Sequence, residues 1–529
     1  MQPDRIPVDM ILFNGNIYTV DSAFTICHAM AVADGKIVAT GEATEILTKY
    51  AAKKTIDLLG KNVYPGFIDA HCHFLSYGIQ RSYAQLYGTT SFDEVLDVVK
   101  QQDPTKTGGW ILGRGWDQND WEVKDFPDCK ILDSLYPNTP VYLIRIDGHA
   151  ALANTAALKL VGYTPHTEIA GGVIKTEGDK CTGLVMDNAM EPFNAILPIK
   201  EESFRRNALE RAQADCFAVG LTSVQDMGLQ LDEIQLMQQM DVEGALQMRI
   251  YALAMAGDEN FKWFQQHGKL ETDRLHVAGF KYYADGALGS RGAALKEAYS
   301  DDPENTGLLF YTPDSLLREA QKIRSIGFQM CTHAIGDAAN AEVLNVYAAV
   351  LPEDNDARWR VEHCQVVDPK DINLFGKYHI IPSVQPTHAT SDMYWAKDRL
   401  GDRRVRTAYA YDDLLRQNGM VADGSDFPVE SINPLYGFYA AVARMDQSGW
   451  PEHGWQINNA LNREQALRAM TIWAAYAAFE EDQKGTLEPG KWADFVVTDK
   501  DIMLAPLMDI PATSILFTYV NGVMVYVKK

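Results

Sequence analysis

The chain is expected to fold as an α/β protein, a closed (β/α)8 barrel accompanied by a small β-sandwich assembled from both chain ends. Three observations point there. Apolar runs of β type alternate with helix-patterned stretches through the middle of the chain, eight such runs occur, and each terminus carries turn-rich strands too few to stand alone. At 529 residues the chain is long enough for one barrel with insertions to fill most of it.

Residues 1–60 read as short strands on tight turns. Asn14-Gly15 separates Met10–Phe13 from Asn16–Thr19, and Asp34-Gly35 separates Ala29–Ala33 from Lys36–Thr40. Those dipeptides supply the positive φ angles that two-residue hairpins need. The barrel, expected over 61–484, has strand candidates at 63–70, 221–226, 248–255, 276–283, 328–333, 358–363, 380–385 and 420–426. Pro313–Ser325 and Arg463–Phe479 are patterned as helical connectors. The interval after the first strand is too long for one helix, so about 82–215 is read as an insertion. Residues 485–529 return to the terminal style, with Leu487-Glu488-Pro489-Gly490 before Ala493–Val497, and Asn521-Gly522 between Phe517–Val520 and Val523–Val527.

A net charge of −23 argues against a nucleic-acid partner, which would require a face of clustered Lys and Arg. No apolar run is long enough to span a bilayer, so no membrane partner is expected. Seven cysteines without framework spacing suggest reduced thiols. Nothing in Gln2-Pro3-Asp4-Arg5 resembles a leader, which places the protein in the cytoplasm; an exported protein whose signal had been removed would read the same way. A two-fold homodimer is the default assembly.

The chemistry begins in Val63-Tyr64-Pro65-Gly66-Phe67-Ile68-Asp69-Ala70-His71-Cys72-His73. Side chains alternate across a strand, so His71 and His73 share a side and Cys72 faces away. Such a pair is either a hydrogen-bonded strand end or two imidazole ligands for a divalent metal of the zinc type. Further polar residues end other apolar runs: Lys281, His333, His363 and Asp426. With His71 and His73 they fall at the carboxyl ends of candidate strands one, four, five, six and eight, where barrels of this kind gather their catalytic groups.

At these residues the sequence resembles the amidohydrolase superfamily, in its amidohydrolase-3 branch, which includes N-substituted formamide deformylases. The matching segments are Pro65–His73, Asp285-Gly286-Ala287-Leu288-Gly289-Ser290-Arg291, Thr332-His333-Ala334-Ile335-Gly336-Asp337, Val361-Glu362-His363, Gln385-Pro386-Thr387-His388 and Gly424-Ser425-Asp426-Phe427-Pro428-Val429. The resemblance implies one or two divalent ions, zinc by default, with iron, manganese or nickel as alternatives. His71 and His73 would hold the more buried ion and His333 and His363 a second. Lys281 would either bridge two ions as a carbamate or be an ordinary lysine paired with Asp285. Asp426 would touch the ion's water, taking its proton as general base and returning it to the departing nitrogen as general acid. The implied activity is hydrolysis of a carbon–nitrogen bond in a small amide, N-formyl, N-acyl or cyclic amide compound. The same centre could instead cut carboxylic esters, lactones or phosphate esters, or belong to a non-catalytic regulatory relative, which would be expected to lack ligands.

Five residues are candidates for substrate contact. His149 and His388 could each donate to a carbonyl oxygen. Arg291 could bind an anion or anchor its loop with Asp285. Trp116, like Trp395, could line the pocket. Because a long excursion from the first strand starts beside His71 and His73, the insertion, with His149 and Gly115-Trp116-Asp117, is expected to shape specificity. Glu362 and Asp69 are expected to position the histidines, and Cys72, Cys331 and Cys364 to be core residues.

Overall fold

The structure is a computed structural model describing residues 5–145, 148, 150–170 and 172–529. It divides into two compact units, Met1–Phe74 with Gln213–Lys529, and Leu75–Ala212.

The first unit contains the expected barrel. Its strands, here β1 to β8, are Phe67–Cys72, Leu221–Leu229, Arg249–Met255, Leu275–Tyr283, Gln329–Ala334, Arg360–His363, Ile381–Val384 and Ala422–Asp423. Each pairs in parallel with the next, and the register sets Lys281 against Cys331, Tyr283 against His333 and His333 against Glu362. Closure is made just past β8. The Asp426 N–H donates to the His71 carbonyl at 2.7 Å, and the His73 N–H to the Phe427 carbonyl at 2.8 Å. Gly424 permits this approach, since a Cβ there would lie 2.3 Å from the His71 nitrogen.

The run expected as one strand over 63–70 is two. Asn62–Pro65 pairs with Ile6–Tyr18 and Phe495–Thr498, whereas Phe67–Cys72 enters the barrel. Gly66 makes the transfer where a Cβ would meet Thr222 Oγ1 at 2.1 Å. Arg463–Phe479 also differs, forming two helices, Arg463–Ala469 and Ile472–Ala477. The break leaves the Met470 carbonyl to accept from Ile68 N–H at 2.9 Å, so helix continuity gives way to a bond with β1.

Both termini build the β-sandwich. Five strands from the first 65 residues and Phe495–Thr498, Ile515–Val520 and Val523–Val527 form one hydrogen-bonded sheet. Alternation along Ile26–Ala33 sends Met30 and Val32 to a core with Leu12, Val63 and Phe495, and Ala29 and Ala31 to a second core with Val8, Ile46 and Tyr50.

The second unit has its own six-stranded sheet, with one core around Leu112, Tyr142, Val185 and Phe193 and another around Trp116, Trp121, Leu143 and Leu152. Among the described residues, no helix is long and apolar enough to cross a membrane.

Candidate metal centre

The strand alternation places His71 and His73 together at the end of β1, their rings 5.9 Å apart, while the Cys72 thiol turns away to the Gln225 carbonyl. β4 contributes Lys281, β5 His333 and β6 His363; the helix Pro386–Asp392 after β7 contributes His388 and the segment after β8 Asp426. These side chains line one cavity of about 400 Å³ within the barrel unit. His363 and Asp426 sit at positive φ, 75° and 60°. Side chains rarely adopt that region, and functional sites are where such backbone strain concentrates.

Three of the imidazoles each take an orienting contact at one ring nitrogen. His71 Nδ1 meets Glu362 Oε2 at 2.6 Å, and His363 Nδ1 meets Gln385 Oε1 at 2.7 Å. His333 Nε2 lies 3.4 Å from both the Gly286 carbonyl and Asp285 Oδ1. Such contacts set the ring orientation and tautomer that metal ligands require. The rings converge, those of His71 and His333 lying 4.7 and 4.5 Å from that of His363.

Two sets of three ligand atoms each fall within 4.8 Å of one another: His71, His73 and Asp426, and His363, His388 and Asp426. Asp426 is common to both. Its Oδ1 stands 3.2 Å from His73 Nε2 and 3.5 Å from His71 Nε2, and its Oδ2 3.8 Å from His388 Nε2. Lys281, fully buried, has its Nζ 3.3 Å from His71 Nε2.

Electrostatics suit a cation. Burial, then the Lys281 ammonium, depresses His71 to about 4 and His333 to about 3, and burial with His333 beside it takes His363 well below the usual range. The rings are therefore neutral, the form that binds metal. Burial also lowers Lys281, against the opposing pull of Glu362 and Asp426. The Asp426 carboxyl, which burial alone would raise, is held well below the carboxylate range by His73, His71 and His388. Asp426 Oδ1 and His388 Nε2 are buried without a hydrogen-bond partner. Buried polar atoms are normally satisfied, so these two, on side chains that share a ligand set with His363, fit a divalent ion.

Beneath this shell lies a network of which sequence reading found only part. Glu362 was expected to position a histidine, but its own support was not foreseen. Arg360, fully buried inside the barrel, forms an ion pair with Glu362 at 2.8 Å and donates to the Ala70 carbonyl at 2.6 Å, Ser383 Oγ at 2.9 Å and Gln225. The available signal was its spacing, two residues before Glu362 on a strand with period two. Asp69 accepts from His71 N–H at 3.0 Å and from the Ser425 hydroxyl at 2.6 Å, tying β1 to the Asp426 turn.

The remaining candidates separate. His388 lies in the ligand cavity rather than outside it. Arg291 binds Asp301, at 2.9 and 3.1 Å, not Asp285, and does not line the cavity. Asp285 is not a partner of Lys281 either; it accepts the N–H groups of Ala294, Ile335 and Gly336. Trp116, 1 % exposed, donates its indole N–H to the Leu143 carbonyl at 2.8 Å and packs in the core of the second unit, while Trp395 lines the cavity. Its bulk needed an apolar core more than its polar edge needed a pocket. His149 lies outside the described residues.

Comparison with known proteins agrees with this architecture. A model of the amidohydrolase family matches residues 54–526. The chain is 36% identical to "Protein LONG AFTER FAR-RED 3" of Arabidopsis thaliana, covering 99% of this chain and 92% of that protein. It is 28% identical to the N-substituted formamide deformylase of Arthrobacter pascens, covering 98% of each. A crystal structure of an uncharacterized metal-dependent hydrolase from Pyrococcus horikoshii superimposes with a TM-score of 0.78 at 27% identity, covering 94% of this chain and 99% of that one. The chain belongs to the amidohydrolase family.

Proposed function

We propose that this amidohydrolase cleaves a non-peptide carbon–nitrogen bond in a small amide, N-formyl, N-acyl or cyclic amide compound, with Asp426 moving the proton. The carrying observation is the buried Asp426 carboxylate, whose Oδ1 lies within 3.5 Å of the Nε2 atoms of both His71 and His73. Likeness to an N-substituted formamide deformylase over 98% of both chains supports the choice of bond.

His71 and His73 would hold one ion and His333 and His363 a second, with Asp426 adjoining both and zinc favoured by the imidazole-rich donor set. Such an ion lowers the pKa of water toward neutrality and polarises a carbonyl. Asp426, ionised, accepts the proton of the attacking water and delivers it to the departing nitrogen, which leaves poorly without it. His388, whose Nε2 is otherwise unpartnered, donates to the substrate carbonyl oxygen when protonated there, in the manner of an oxyanion-hole group. Glu362 and Gln385 keep His71 and His363 in the right tautomers. Lys281, with its ammonium form disfavoured by burial, is suited to become a carbamate whose two oxygens would face two ions.

The test is elemental analysis of the purified protein followed by a panel of N-substituted formamides, N-acyl amides, lactones and phosphotriesters. Bound divalent metal with preference for the amides is expected. Metal-free protein after supplementation, or turnover confined to the esters, would overturn the reading.

A further inference from the structure

Beyond the ligand shell the cavity changes character. Besides those ligands, it is lined by the carboxylates of Asp392 and Glu430 and by Leu288, Tyr283 and Trp395, with Trp395 one turn on from Asp392, its N–H donating to the Asp392 carbonyl at 3.0 Å. Trp395 lies close against the loop before Arg291, where a Cβ on Gly289 would come within 3.3 Å of its ring. Asp392 Oδ2 accepts from Gln365 Nε2 at 2.7 Å and the Tyr409 hydroxyl at 2.8 Å, and Glu430 Oε1 from the Ser391 hydroxyl at 2.6 Å. These donors are neutral. Among the described residues, neither carboxylate has a salt bridge.

The nearby cations are committed elsewhere. Arg291 and Arg399 both bind Asp301, and Arg399, 5.6 Å from the Trp395 ring centre, also donates to the Gly289 carbonyl. Neither lines the cavity, and Lys281 lies on its floor beside His71. His388 stands between the two regions, near both Asp426 and Asp392. An entering anion would thus meet two carboxylates that no lysine or arginine neutralises among the described residues, whereas an ammonium would find two acceptors.

We propose that the pocket selects amides whose remote substituent is a flat apolar group ending in a protonated amine, the amine taken by Asp392 and Glu430 and the apolar group by Trp395 and Leu288 of the same cavity lining. This rests on the metal-centre reading above, and at about 400 Å³ the cavity suits a ring-sized group. Glu430 is the specificity-determining residue, because among the described residues its carboxylate is engaged by the Ser391 hydroxyl alone, while Asp392 Oδ2 is held by two donors.

Binding separates this from turnover. Three aryl hydroxamates that chelate metal alike, 4-(aminomethyl)benzohydroxamate, benzohydroxamate and 4-carboxybenzohydroxamate, are titrated calorimetrically into full-length zinc-loaded protein at low and high salt. The ammonium compound is expected to bind at least about tenfold tighter than the carboxylate compound at low salt, with the gap narrowing at high salt. Glu430→Gln should narrow it as well, with zinc content and Tm verifying that the variant is folded. Equal affinities, tightest binding of the carboxylate compound, or a gap unmoved by Glu430→Gln in folded protein would overturn the proposal and leave the metal reading intact. Failure of all three to bind zinc-loaded protein would overturn both.

Discussion

The terminal β-sandwich and the barrel interior are both buried, but they are filled in opposite ways. The sandwich core is Leu12, Ile17, Met30, Val63, Phe495 and Val497, whereas the barrel beneath the candidate centre is threaded by Gln225, Lys281, Arg360, Glu362 and Ser383. In the sandwich, stabilisation follows buried apolar area and tolerates any set of side chains of similar volume. In the barrel each charge is buried only because another group answers it, and replacing the network with apolar residues would cost little stability while removing what orients His71. The sandwich is therefore built for stability alone, and the barrel interior couples stability to the site.

The largest effect should come where the network ends, at Asp426. Asp426→Asn is expected to lower turnover of any accepted amide by about 10²–10⁴ while metal content and Tm stay near wild type. Unchanged turnover would remove Asp426 as the proton carrier. Next, Arg360→Met leaves Glu362 buried without its cation and should cost about 3–5 kcal/mol, read by denaturant unfolding, together with lost metal. The double variant Arg360→Met with Glu362→Gln should recover stability but not metal affinity. Recovery of both would mean that the network is only filler.

Phe495→Ala in the sandwich should cost a comparable amount, about 3–5 kcal/mol, through the cavity it leaves. Metal affinity at temperatures below its transition should be unaffected, and a parallel loss of metal would erase the contrast between the two regions. Glu362→Gln keeps a contact to His71 but leaves Arg360 buried without its anion, so its stability should fall as that of Arg360→Met does. Its effect on the site is the smallest, with metal affinity by competition with a chelator weakening about 10–100-fold. Affinity equal to wild type would show that shape alone holds the His71 ring.

Much of this was legible locally. The alternation that puts His71 and His73 on one side of β1 is a property of any strand, and parallel strands in a closed barrel bring their carboxyl ends to one face. From those two facts, Lys281, His333, His363 and Asp426 can be gathered without coordinates, and the Asp34-Gly35 and Asn521-Gly522 turns announce the sandwich. Asn14-Gly15, read as a hairpin, is instead an irregularity inside the single strand Ile6–Tyr18, which pairs with Ile26–Ala33 on either side of it. The partners are a different matter. Lys281 meets His71 across 210 residues and Arg360 meets Gln225 across 135, contacts set by register around the barrel rather than by spacing along the chain. Arg291 had two carboxylates within ten residues, Asp285 and Asp301, and only the fold committed the first to backbone N–H groups and the second to the arginine. Trp116 had an apolar body and a polar edge, and packing placed it in a core. Sequence by itself determined which side each strand residue faces, because backbone geometry imposes it; tertiary structure alone decided which groups answer one another, because a buried polar group must find its partner wherever closure of the sheet delivers it.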